Sequence, residues 1–313
     1  MTQTTQPNAH RPYEVPELGR RSAVANLGAQ GAALGVVSLA SLLVARASGA
    51  AVLGEYTLLR VLPWLMGVTL SCGLPVAAAY FLAGESRLDP RLRPTLCVLA
   101  LGGAAAGAGL WLAVAPLLRG LFFTSMSERL VAVMAATVVT QLWTVWAKAC
   151  CQGSADMRGA NLVIVCEELL FLPAYGLALG LGLRGIGAVV AGMIGGGICA
   201  AATALGRLAW RRFFRDWGLP SRAIARSVIG FGARGQLGNL LWLVNLRLDF
   251  LVLGALAGPA TLGVYAVASK FAELMRLPAS AVNYVLYPRF ARSGPAAAGI
   301  HARRLLPLSL IHI

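Results

Sequence analysis

Apolar runs as long as a bilayer is thick recur along nearly the whole chain, and nothing else in it constrains the fold as much. Eight stretches, 24–45, 62–83, 96–118, 130–149, 162–183, 185–205, 236–255 and 263–287, are apolar enough to span as helices. At ~1.5 Å per residue each covers most or all of ~30 Å of hydrocarbon. Spans five and six are separated only by Arg184 and its neighbours, which predicts a tight helical hairpin, while Lys270, Glu273 and Arg276 interrupt the eighth. Composition agrees: hydrophobic residues are 58% of the 313 and charged residues only 12%, against roughly 25% in a soluble domain. Too few charges remain to cover a globular surface, so the chain is read as all-α, a polytopic membrane protein of about eight transmembrane helices.

A net charge of +15 could suggest nucleic acid, but that requires basic residues gathered on a soluble face. Here they sit between apolar runs, which excludes a nucleic-acid partner and points to membrane topology instead. Nineteen Lys and Arg fall in loops on the N-terminal side and five (Arg46, Arg60, Arg119, Arg129, Arg184) on the other. By the positive-inside rule the N-terminus is cytoplasmic. Residues 1–23 lack the apolar core and cleavage site of a signal peptide. The opposite side has only short loops, the longest about 47–61, which leaves little room for an outer catalytic domain. The six cysteines show no metal spacing and are read as small packing residues.

The chain repeats itself. Leu27-Gly28-Ala29-Gln30-Gly31 recurs as Phe231-Gly232-Ala233-Arg234-Gly235, and Leu53-Gly54-Glu55-Tyr56 as Leu262-Gly263-Val264-Tyr265. The matched glycines lie 204 and 209 residues apart. Each copy begins on the same side of the membrane, so the repeats are parallel, as in one class of transporters. The expected organisation is a cytoplasmic segment 1–23, a six-helix N-lobe 24–205, a basic cytoplasmic linker 206–230 and a C-lobe 231–313. A second copy of about 205 residues would outrun the 83 present from residue 231, and 305–313 read as the start of a ninth span. A C-terminally truncated chain is therefore expected.

The stretch Gly232–Arg292 holds Gly238-Asn239, Asn245-x-Arg247-x-Asp249, Gly258-Pro259-Ala260-x-Leu262-Gly263-x-Tyr265 and Tyr287-Pro288-Arg289. With Leu53-Gly54-Glu55-Tyr56 as a looser first counterpart, the chain from about residue 20 onward resembles the polysaccharide (O-antigen type) flippases of the multidrug/oligosaccharidyl-lipid/polysaccharide exporter superfamily. That resemblance implies two six-helix lobes facing each other across a central cavity, a lipid-linked oligosaccharide as cargo and a bacterial inner-membrane location. It also implies a monomer at full length, with membrane lipids and polysaccharide-assembly machinery as the other partners.

Charges inside the spans need a reason, because burying them in hydrocarbon is costly. Arg247 and Asp249 are two apart on span seven, about 200° around the helix, and are not expected to face one neighbour. Lys270 and Glu273 share a face of span eight. One reading pairs Asp249 with Lys270 and Arg247 with Glu273 as structural ion pairs. The other makes Arg247, Lys270 and Arg276 the lining of a cationic cavity for a pyrophosphate, whose oxygens suit the arginine fork. Glu167 and Glu168 read either as interfacial acids in a helix's first turn, with Asn161 as cap, or as carboxylates coupling transport to an ion gradient. Being adjacent, at most one of the two is expected to face a cavity squarely.

Gly103/Gly107 and Gly192/Gly196 have the spacing for close helix approach, and Pro63, Pro75, Pro173 and Pro278 read as kinks or as bending points. The stretch 206–228, with Trp210, Arg211, Arg212, Phe213, Phe214, Arg215 and Trp217, reads as a linker lying on anionic headgroups. No nucleotide loop, nucleophile triad or His-rich motif is present, and the histidines are His10, His301 and His312. The chain is therefore expected to be neither an enzyme nor a cofactor or metal binder. A drug/cation antiporter of the same superfamily is the first rival, and a polysaccharide polymerase or ligase the second.

Overall fold

The computed structural model describes residues 19–310 except Asp216, with side chains within 21–287. Arg11 of the expected cytoplasmic segment, and the side chains of Arg20, Pro288, Arg289 and the arginines after it, lie outside the described residues. The elements are α1 (Gly19–Leu70), α2 (Leu74–Ala83), a 3-10 turn (Glu85–Leu88), α3 (Leu92–Phe122), α4 (Glu128–Val133), α5 (Ala135–Gly153), α6 (Met157–Leu169), α7 (Phe171–Gly180), α8 (Gly185–Trp210), α9 (Arg222–Leu256) and α10 (Gly258–Leu310). No strand occurs among the described residues. Six helical stretches are long and apolar enough to cross a membrane: Arg21–Leu70, Leu92–Phe122, Glu128–Gly153, Met157–Gly180, Gly185–Trp210 and Arg222–Leu256.

Several helix boundaries differ from the expected spans. The stretch 47–61, expected as an outer loop, is helical, and Leu53, Tyr56, Leu58 and Leu59 are its most deeply buried residues. The chain turns at Gly49 alone, with φ 86° and ψ 172°, a conformation glycine adopts without the Cβ penalty other residues would meet. The second expected span accordingly begins at residue 50 and is interrupted at 71–73, where Cys72 and Gly73 have positive φ, before α2. The other end of the chain repeats this geometry: Gly258, with φ 79°, separates α9 from α10. Gly49 and Gly258 are 209 residues apart, the spacing of Gly54 and Gly263. The eighth span starts at 258 and continues as one helix to Leu310, so the expected break between it and a ninth span is absent from the backbone.

Two apolar clusters hold the bundle. One gathers Leu53, Tyr56, Leu59, Trp111, Phe123, Met134, Phe171, Tyr175, Phe250 and Leu262. Within it the Trp111 indole donates to the Val131 carbonyl at 2.7 Å, a partner the buried N–H needs. The other gathers Leu74, Leu82, Leu96, Trp146, Cys150, Leu208, Phe213 and Val228. Small residues let backbones meet: a Cβ at Gly196 would lie 2.9 Å from the Phe171 backbone, and one at Gly192 3.0 Å from Tyr175. Pro75 sits in the first turn of α2, where a missing N–H breaks no hydrogen bond. Pro173 stands where α6 passes into α7 within the span Met157–Gly180, so the missing N–H falls at the interruption at Leu170. Cys97, Cys150 and Cys151 are buried, Cys72 and Cys199 exposed, and all six are free thiols.

The two repeat copies touch through α1 and the start of α10. A Cβ at Gly54 would fall on the Pro259 carbonyl, and one at Gly263 on the Ala50 carbonyl. The copies meet again through other helices, where Tyr80 of α2 stacks on Phe231 of α9 (4.3 Å) and Gln152 of α5 donates to the Tyr284 carbonyl of α10 (2.6 Å).

The basic stretch 206–228 is anchored at several points. Arg207 grips Asp156 with two hydrogen bonds of 2.8 Å, Arg93 donates to the Phe213 carbonyl (3.3 Å), and Phe213 is buried beside Trp146. Asp156 also caps α6 by accepting from the Gly159 N–H. Burial opposes its ionisation, but the Arg207 and Gly159 hydrogen bonds and the charges of Arg207 and Arg211 outweigh it and hold the carboxyl below its ordinary range. Trp210 and Leu219 remain more than four-fifths exposed.

Candidate polar cavity between the repeat copies

Beside the first apolar cluster, and lined in part by its Tyr56, Phe250 and Ala266, lies a cavity of about 370 Å³ walled by α1, α5, α6, α9 and α10. Seven charged side chains line it: Arg60, Lys148, Glu167, Glu168, Arg247, Lys270 and Glu273. The first repeat copy contributes two matched pairs. Arg60 Nη2 meets Glu168 Oε1 at 2.7 Å, and Lys148 pairs with Glu167. Tyr56 supports Arg60 from one turn earlier, accepting from its guanidinium at 3.3 Å, and stacks on Phe171.

The second copy is unbalanced. Glu273 is shared, taking Arg247 Nη1 on one oxygen at 2.7 Å and Lys270 Nζ on the other at 3.0 Å. Two cations thus face one acid, and Arg247 Nε is buried with no hydrogen-bond partner. Charges withdrawn from water this way need close, well-directed partners to be tolerated. An incompletely partnered guanidinium is therefore predisposed to take an incoming anion. Gln141 also lines the cavity and its buried Oε1 is unpartnered.

A second pocket, about 70 Å³, adjoins behind Arg60 and Glu168 and is lined by Thr137, Thr140, Thr144 and Gly197. The three threonine hydroxyls donate to backbone carbonyls three or four residues earlier, those of Met134, Thr137 and Thr140. No group of three or more His, Cys, Asp or Glu that could hold a metal occurs among the described residues.

Of the residues singled out in the sequence, Arg247, Lys270, Glu273, Glu167 and Glu168 meet in this cavity. Arg276 does not: it is exposed, with its guanidinium over Trp242 at 5.4 Å. The Arg247–Glu273 pair forms, whereas Asp249 takes the Tyr265 hydroxyl (2.5 Å) and the Phe250 N–H (2.9 Å) instead of Lys270. Arg247 and Asp249 therefore both bond to α10, against the 200° expectation, because a long arginine and a long tyrosine close the angle from opposite sides. Glu167 and Glu168 both reach the cavity. The helix carrying them starts at Met157 with Asp156 as its cap, so they lie three turns in, and Asn161 instead accepts from Asn26 at 2.6 Å.

Arg60, a loop residue by sequence, is brought inside by the helix extending from residue 50, and Lys148, near the end of the fourth span, by the full length of α5. The available signal was position: Arg60 stands one helical turn beyond the repeat's Tyr56.

Residues 86–302 match a family model described as polysaccharide biosynthesis protein. No curated protein matches the chain. A solved structure named protein A is similar in fold, with a TM-score of 0.66 and 13% identity, over 89% of this chain and 65% of its own. The chain thus spans less than two thirds of that structure's length.

Proposed function

The chain belongs to the polysaccharide biosynthesis protein family, and from that premise we propose that it moves a polyprenyl-pyrophosphate-linked oligosaccharide across the bacterial inner membrane. The observation that carries this reading is the Arg247–Glu273–Lys270 cluster lining a cavity between the repeat copies, with one cation in excess and Arg247 Nε buried without a hydrogen-bond partner. A diphosphate supplies the missing acceptors, and a guanidinium fork binds its oxygens two at a time. Trp64 on the same wall offers an apolar face to a sugar ring. The lipid tail stays in the bilayer while the headgroup is exposed to one side and then the other.

Four cations against three acids in the lining disfavour a cationic drug as cargo. The N-terminus is placed in the cytoplasm on the arginine bias of the loops. Transport is proposed to be non-enzymatic, with no cofactor and with energy drawn from an ion gradient or the membrane potential.

The test is Arg247→Ala in the full-length protein, expressed in a strain lacking its own flippase. Surface polymer display is expected to be lost, with Arg247→Lys only partly restoring it because an ammonium is a single point charge. Normal display in Arg247→Ala would overturn the assignment.

A further inference from the structure

We propose that residues 85–93 and 207–226 together form a binding surface for anionic phospholipid headgroups, where arginines meet the phosphates and Leu88, Trp210, Trp217 and Leu219 enter the outer acyl region. None of these residues lines the polar cavity, so the inference holds whatever cargo that cavity carries.

The two segments are pinned to each other. Arg93 donates to the Phe213 carbonyl at 3.3 Å and to the Arg215 carbonyl at 3.5 Å. The Gly218 N–H donates to the Pro90 carbonyl at 3.2 Å, and the Ser221 N–H to the Thr95 hydroxyl at 2.9 Å. A chain of rings also leads outward from the core: Trp146, Phe213, Phe214 and Trp217 follow one another at 6.1, 5.4 and 5.7 Å between centroids. The surface is therefore built before a lipid arrives, which leaves little of it to be ordered on binding.

Its chemistry is that of a membrane interface. The two segments carry nine arginines against three acids, Glu85, Asp89 and Asp216. Arg207 and Arg211 face Asp156, and Arg93 is spent on carbonyls. Arg87, Arg91, Arg212, Arg215, Arg222 and Arg226 are exposed, and none is in an ion pair among the described residues. Among them Leu88, Trp210 and Leu219 are at least four-fifths exposed and Trp217 half exposed. Large apolar side chains interleaved with free arginines suit a boundary with acyl chains on one side and phosphates on the other.

Helix length places the surface at that boundary. The 26 residues of α8 span ~39 Å at ~1.5 Å each, against ~30 Å of hydrocarbon. Centred in the bilayer, α8 extends about three residues beyond the hydrocarbon at each end, which sets Trp210 at headgroup depth. A soluble acidic protein would suit the arginines alone and leave the exposed tryptophan and leucines without a purpose.

The test places the chain in phosphatidylcholine bilayers containing brominated phosphatidylglycerol or brominated phosphatidylcholine, since bromine quenches tryptophan on contact. The signal of Trp210 and Trp217 is the difference between the natural chain and Trp210→Phe with Trp217→Phe. Brominated phosphatidylglycerol is expected to quench that signal at lower mole fraction, and the preference should shrink as salt is raised from about 0.05 to about 0.5 M. Arg212→Gln with Arg215→Gln should lower the preference by roughly fivefold or more, while the two Arg→Lys changes should keep most of it. Equal quenching by the two lipids, or a preference unchanged in the glutamine variant, would overturn the proposal. So would a difference signal that neither lipid quenches, which would set this surface in water and open it to an acidic protein instead.

Discussion

Asp156 offers a stability prediction whose size can be worked from the structure. Its side chain is 8% exposed and accepts two 2.8 Å bonds from Arg207, itself 25% exposed, while its Oδ1 also caps α6. Breaking a buried pair costs about 3–5 kcal/mol, but Arg207 can rehydrate in part, so Asp156→Asn should cost about 2 kcal/mol. Asparagine caps a helix about as well as aspartate, so the cap survives that change. Asp156→Ala removes it and should cost about 1 kcal/mol more. Arg211, 3.8 Å away and 57% exposed, adds little.

Thermal unfolding in detergent should show Tm lowered by roughly 4 °C and 6 °C, at about 2 °C per kcal/mol for a chain of this size. The pH dependence follows from the depressed carboxyl. Its stabilisation is complete above the unfolded-state value near ~3.9 and is lost as pH falls through the lower folded-state value. The gap between the natural chain and Asp156→Asn should therefore be constant above about pH 5 and close in stronger acid. Equal Tm for Asn and Ala would refute the capping component. No loss in either variant would refute the pair.

Two further outcomes concern the cavity and the contact between the copies. Arg60→Ala strands Glu168 without its partner, so it should destabilise by about 3 kcal/mol, whereas Arg60→Ala with Glu168→Gln should recover most of that. Additive losses in a double-mutant cycle would show the two side chains to be uncoupled. Gly263→Val drives a side chain onto the Ala50 carbonyl and should cost about 1–3 kcal/mol or force the copies apart, read as faster hydrogen exchange at 50–60. Unchanged Tm and exchange would mean that the close approach is not maintained in solution.

Hydrophobicity along the chain was sufficient to read the all-α membrane class, because a helix in lipid must be apolar for about twenty residues whatever it packs against. The repeat was legible as well, since Gly54 and Gly263 are required wherever two backbones come within a side chain's width. Helix limits were not. The segment 47–61 contains Glu55 and Arg60, and a charge near the end of an apolar run reads as loop unless something in the fold receives it. Ser125 and Glu168, 70 and 108 residues away, are those receivers.

What the linear order of residues determined here is therefore the solvent each segment must live in, the hairpin at Arg184, the recurring Leu-Gly-x-Tyr and the set of charges that demanded partners. Which charges meet was decided by the packing of the helices alone. Arg60 and Lys148 turn inward, Arg276 turns outward onto Trp242, and Asp249 takes a tyrosine instead of Lys270. The physical reason is range. Transfer to lipid is a property of each segment by itself, whereas an ion pair needs its atoms within about 3–4 Å, a distance fixed by helix rotation and crossing between residues far apart in the chain.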